Sequence, residues 1–176
     1  MTKPALALLL LAACGDNFAK PDAPEVTPPD APAAKPRAVV VSGNFMAGQA
    51  GVMSSLGFDP IAVEQRVAPT GAVGSDPVLR KSGDELFVVN RSDGNNVTIL
   101  DAQTFALKEQ IATGAGSNPQ DVAVFGQKLF VPAFGTSGVV VLTRGSTTQT
   151  PIDLSALDPD GQPNCISAFT VGNEVY

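Results

Sequence analysis

An all-β fold of repeated four-stranded antiparallel sheets, a β-propeller, is predicted by three observations. Gly83-Asp84-Glu85-Leu86-Phe87-Val88-Val89-Asn90 returns 43 positions later as Gly126-Gln127-Lys128-Leu129-Phe130-Val131-Pro132-Ala133, and starts again at Gly172-Asn173-Glu174-Val175-Tyr176. Each period of 43 to 46 residues holds several short apolar runs separated by Gly, Asp and Ser turns, the spacing of a propeller blade. Pro77, Pro119 and Pro163 fall at one place in successive periods, just before the first strand. Proline is tolerated there because a strand start need not donate to the ladder.

The units can be laid out strand by strand. The first, residues 38–76, offers strands at 38–42, 51–56 and 61–67 and lacks an obvious first strand. The second, 77–118, places strands at 78–80, 85–90, 96–101 and 107–112, with turns at Ser82-Gly83-Asp84 and Ser92-Asp93-Gly94. The third, 119–162, places them at 121–125, 128–134, 138–143 and 148–153. Its stretch 138–143 is a nearly continuous β-branched run, which predicts a strand packed on both faces. Residues 163–176 begin a further unit. About three blades are therefore present, whereas closed propellers use four to eight. The expectation is the N-terminal part of a longer propeller of about six to eight blades; the alternative is a short protein that closes by oligomerising.

These units resemble the YVTN-type repeats of bacterial β-propellers. Phe87-Val88-Val89-Asn90 stands at the family's Tyr-Val-Thr-Asn, Asn96-Val97-Thr98-Ile99-Leu100-Asp101 at its next strand, and Thr113-Gly114 through Asn118-Pro119 at its following loop. The resemblance covers roughly residues 38–176 and implies a fold rather than an activity, since propellers host unrelated functions. Pro132 departs from the pattern and requires a bulge if its strand is central.

Residues 1–13 read as a secretory signal. Lys3 supplies positive charge, and 5–13 is an apolar run too short to span a bilayer. Leu11-Ala12-Ala13-Cys14 resembles the lipobox of bacterial lipoproteins, which implies lipidation of Cys14. The alternative is an ordinary signal peptide cut near Ala13. Residues 14–37 form a tether with six prolines, Pro21, Pro24, Pro28, Pro29, Pro32 and Pro36, and almost no apolar bulk to build a core. Some 20 residues of semi-rigid polyproline II at ~3.1 Å each would reach about 60 Å. The predicted address is the bacterial cell envelope, with a lipid anchor as the only membrane contact.

The chain carries a net charge of −6, with Lys and Arg scattered singly. The basic footprint of nucleic-acid binding is absent from it. It has no histidine, so Ser-His-Asp and Cys-His nucleophile activation are excluded within it. With Cys14 lipidated, Cys165 is left alone: either a small buried hydrophobe beside Ile166, or the partner of a cysteine beyond residue 176.

In a four-stranded meander, the second-to-third and fourth-to-first loops emerge on one face. Here those are the longer loops, the usual carriers of binding. Asn44, Phe45, Met46, Arg91, Asp93, Asn95 and Phe134 are the candidate binding residues. The alternative for the three apolar ones is packing between blades. Asp158, Asp160 and Asn164, with Gln162, present alternating oxygens that could take calcium. The same residues suit a tight turn, which is the preferred reading; no other cofactor is predicted. The favoured function is a non-enzymatic binding or scaffolding module for a protein or glycan. The alternative is a propeller enzyme, a metal-dependent lactonase or a quinoprotein, with its site in the central channel.

Overall fold

The computed structural model describes residues 35–176. The signal and lipidation readings, and the tether up to residue 34, lie outside these. The described chain is all-β. Strands β1 (Arg37–Ser42), β2 (Val52–Phe58) and β3 (Ile61–Gln65) form a three-stranded sheet in the order β1-β2-β3. β4 (Pro77–Ser82), β5 (Glu85–Asn90), β6 (Asn96–Asp101) and β7 (Leu107–Ala112) form a four-stranded one. β8 (Ala123–Phe125), β9 (Lys128–Pro132), β10 (Gly138–Thr143) and β11 (Gln149–Asp153) form the next. β12 (Thr170–Val171) and β13 (Glu174–Val175) open another hairpin. Every pairing is antiparallel between chain neighbours, the up-and-down meander of a propeller blade.

The middle blade shows why its strands read as unbroken apolar runs. Side chains alternate across a strand. Leu86, Val88 and Leu100 point to the first blade, where they meet Met53, Ala72 and Val73. Phe87, Val89, Val97 and Ile99 point to the third, where they meet Leu129, Val131, Val140 and Leu142. Both faces of β5 and β6 are thus removed from water, which favours β-branched and aromatic residues at every position. The outermost strands β3 and β11 are exposed throughout, and their sequences are correspondingly polar or mixed.

Element boundaries depart from the sequence reading where side chains or loops intervene. β8 covers only 123–125, because Asp121 and Val122 are diverted. From the bridge Pro119↔Ala133 to the pair Ala123↔Phe130, the first chain advances four residues and the second three. That one-residue excess is a bulge. It accommodates Pro132: the Gln120 N–H donates to the Pro132 carbonyl at 2.8 Å, and no N–H is demanded in return. β9 therefore ends at Pro132, not at 134, and Phe134 belongs to the following loop. Arg37, placed in the tether by its sequence, is instead the first residue of β1. Its guanidinium donates to the carbonyls of Ala102 and Gln103 at 2.6 Å each and lies 4.4 Å above the Phe105 ring. The loop at 155–164 contains a 3-10 turn, Ser155–Leu157.

Candidate binding face

The long loops meet on one face, as the meander requires. Loop 43–51 is fastened to the segment entering β4: Asn44 and Phe45 N–H both donate to the Ser75 carbonyl, at 3.0 and 3.1 Å. The same loop reaches the middle blade through the Gly48 N–H, which donates to Asp93 Oδ2 at 2.5 Å. Loop 91–95 reaches the next connection through Ser92 N–H to Asn118 Oδ1 and Asn118 N–H to Asn95 Oδ1, both 2.9 Å. Phe134 N–H then donates to the Asn118 carbonyl at 3.1 Å, and Gly135 N–H to that of Ser117 at 2.9 Å. A continuous run of hydrogen bonds thus links the loops of three blades.

This geometry divides the seven sequence candidates into two sets. Arg91, Asp93, Asn95 and Asn44 hydrogen-bond to the scaffold. Asp93 accepts from Gly48 N–H and from Ser75 Oγ at 2.7 Å, which holds its carboxyl below the usual aspartate range. Arg91 Nη2 pairs with Asp76 Oδ1 at 2.5 Å and Nη1 donates to Gln120 at 3.3 Å. Its Nε is buried without a partner among the described residues. Asn95 and Asn118 adopt left-handed backbone, φ 44° and 47°, which asparagine tolerates. Asn44 closes its own loop, accepting from Met46 N–H at 3.0 Å and donating to Ala50 O at 3.3 Å.

Phe45, Met46 and Phe134 form the other set. They are 77%, 64% and 43% exposed among the described residues. The interblade packing at this level comes from residues the sequence reading passed over. Asn90 is 1% exposed. Its Oδ1 accepts from Gly74 N–H at 2.7 Å, and its Nδ2 lies 2.8 Å from Asn96 Oδ1, 3.1 Å from Thr98 Oγ1 and 3.2 Å from Ala72 O. Asn90 was visible in the Phe87-Val88-Val89-Asn90 motif, but its partners Ala72 and Gly74 belong to the preceding unit.

Asp158, Asp160 and Asn164 lie together in the loop 155–164. Asp158 Oδ1 accepts from Asp160 N–H at 3.2 Å, and Asp160 Oδ1 from Gln162 N–H at 2.8 Å. These are successive Asx turns; Asn164 follows with φ 49°. Cys165 is half-buried and forms no disulfide among the described residues, and Ile166 is 65% exposed. Cys165 is thus not fully buried by the described residues.

On the opposite face, the short turns carry a second set of charges. Burial pushes the Glu85 carboxyl up, but Arg144 at 2.8 Å and Lys108 at 3.1 Å outweigh it and hold it below the usual range. Asp101 accepts from the N–H groups of Thr104 at 2.8 Å and Gln103 at 2.9 Å, and sits at about 2. The fold also gathers Lys35, Arg37 and Lys81 around a cleft of about 410 Å³ beside β1. The sequence gives no hint of this cluster, because more than 40 residues separate Lys81 from the other two.

No family model matches the chain, and no curated protein does. Among solved structures it is similar to a europium-containing methanol dehydrogenase, at 16% identity and a TM-score of 0.43, over 63% of this chain and 22% of that one. The chain spans about a fifth of that protein's length. The blade architecture stands on the sheet order and register of the chain itself.

Proposed function

We propose that the chain is an envelope-anchored lipoprotein whose propeller blades act as a non-enzymatic binding or scaffolding module for a protein or glycan. One observation carries the reading. Phe45, Met46 and Phe134 are held out into solvent on a face whose polar side chains are consumed in fixing the loops. Large apolar side chains on a rigid, hydrogen-bonded rim lose little freedom on contact and remove much surface from water. The lipobox-like Leu11-Ala12-Ala13-Cys14 supplies the anchor, and 14–37 the spacer.

Two measurements test the two halves separately. Labelled palmitate should be incorporated into the full chain in a bacterial host and lost in Cys14→Ala; incorporation that survives this substitution sinks the anchor. For the face, the chain carrying Phe45→Ser, Met46→Ser and Phe134→Ser should keep its melting temperature and lose at least tenfold of its retention on peptidoglycan and envelope extract. Equal retention by this variant would remove the loop face as the binding surface.

A further inference from the structure

We infer that the cleft between the middle and third blades, at their loop ends, is a binding site for a neutral sugar, one ring held through its hydroxyl groups. Both walls belong to blades whose four strands are described. The site uses none of Phe45, Met46 and Phe134, so its test stands apart from the reading above.

Val140 and Leu142 point from β10 toward the middle blade. Their ladder partners on β11, Pro151 and Gln149, share that face. Across from them runs the connection leaving β7, from Thr113 to Ser117, and a cleft of about 270 Å³ lies between. Gln149 Nε2 donates to the Ala112 carbonyl at 3.0 Å. That bond fixes which end of the amide is oxygen, because a carbonyl can only accept. Gln149 Oε1 then accepts from no group among the described residues. A Cβ at Gly114, where φ is 99°, would stand 3.1 Å from this oxygen and crowd the approach to it. Thr113 supplies a second acceptor. Asn95 Oδ1 receives the Asn118 N–H, and Ser117 Oγ lies 3.3 Å from it and donates to it. The Thr113 hydroxyl must therefore donate to Ser117 Oγ, at 2.7 Å. Thr113 is 1% exposed, and its Oγ1 accepts from nothing among the described residues.

The lining selects the chemistry of the ligand. Acceptors that lack donors call for a molecule rich in O–H groups. No charged side chain lines the cleft, so an ionic group would lose water there without gaining a counter-charge. Val139 and Pro151 give an apolar wall for the C–H face of a ring. A volume of about 270 Å³ falls just below the range of roughly 300–1,000 Å³ typical of drug-sized ligands. It suits one ring, free or at the end of a glycan.

The probes are free glucose, galactose, mannose and N-acetylglucosamine, each added to the full chain at millimolar concentration. At least one should shift the backbone amides of Gly114, Ala115 and Gln149 and raise the melting temperature. Ala115 is exposed and lines the cleft, so its side chain can grow without disturbing the core. Ala115→Trp should keep the melting temperature of the unliganded chain and weaken binding at least tenfold. Gln149→Leu, which removes the free acceptor at an exposed position, should weaken it as much. Glucuronate and glucosamine, charged analogues of glucose, should bind at least tenfold more weakly than the neutral sugar. The proposal is overturned if no neutral sugar moves these amides, if folded Ala115→Trp and Gln149→Leu bind equally well, or if the charged analogues bind as tightly. Shifts confined to Phe45, Met46 and Phe134 would also overturn it, and would put the sugar on the apolar rim.

Discussion

Arg80 Nε lies 2.7 Å from Asp121 Oδ1, and Arg80 Nη2 lies 3.2 Å from Oδ2, which ties β4 of one blade to the entry of the next. Asp121 is the buried partner, at 2% side-chain exposure against 49% for Arg80. Its carboxylate also accepts from Val122 N–H at 2.8 Å, Ser167 Oγ at 3.0 Å and Ala168 N–H at 3.3 Å. One side chain therefore holds three successive repeat units.

Asp121→Ala should destabilise more than Arg80→Ala. The first strands buried donors that lose their acceptor, at about 2–3 kcal/mol. The second frees a half-exposed guanidinium and leaves Asp121 its other donors, so about 1 kcal/mol is expected. Urea unfolding of the two variants checks the order; equal midpoints would show that the contact to Arg80 dominates.

Asn90→Ala should cost about 2–3 kcal/mol, because Gly74 N–H and the Ala72 carbonyl would lose their partner in a site where Asn90 is 1% exposed. Asn90→Asp should be no rescue: its carboxylate cannot donate to the Ala72 carbonyl or to Asn96 Oδ1. Thermal unfolding of both variants reads the effect.

Asp101 should titrate at about 2 against an ordinary 3.8, the Thr104 N–H being the largest cause and the Gln103 N–H the next. Its folded value is depressed, so its contribution is complete above the ordinary value. That contribution is lost as pH falls through the folded one. Carbon-detected NMR should place the midpoint near 2. Thr104→Val, which removes one oxygen donor and keeps both N–H groups, should raise it part of the way.

Gly135→Ala and Gly126→Ala should both destabilise, for different reasons. A Cβ at Gly135 would overlap the Gly116 carbonyl, so the loops must separate, at about 1–3 kcal/mol. A Cβ at Gly126 meets nothing, but the backbone is left-handed at φ 59°, which costs about 1 kcal/mol. Backbone amide shifts should move across 116–118 and 133–136 in the first variant and stay local to the turn in the second.

Much of the blade was legible in the chain. β5, β6, β7 and β10 occupy the predicted residues, since a strand buried on both faces leaves an unbroken apolar run bounded by turn residues. β8 was drawn two residues too long because a bulge has no local signature beyond Pro132 in the partner strand. The candidate loops were located by topology, but their residues could not be sorted. Asp93 and Phe45 both look like exposed loop residues until Gly48 and Ser75 are seen to claim the Asp93 carboxylate.

The sequence by itself determined the repeat, the alternation within each strand and the face on which the long loops emerge, because each follows from contacts between near neighbours in the chain. The tertiary structure alone decided which polar residues clamp the blades, which apolar ones stand free, and that Lys35, Arg37 and Lys81 share one cleft. Those relations join residues tens of positions apart, and only the stacking of one sheet on the next brings them within hydrogen-bond or Coulombic reach.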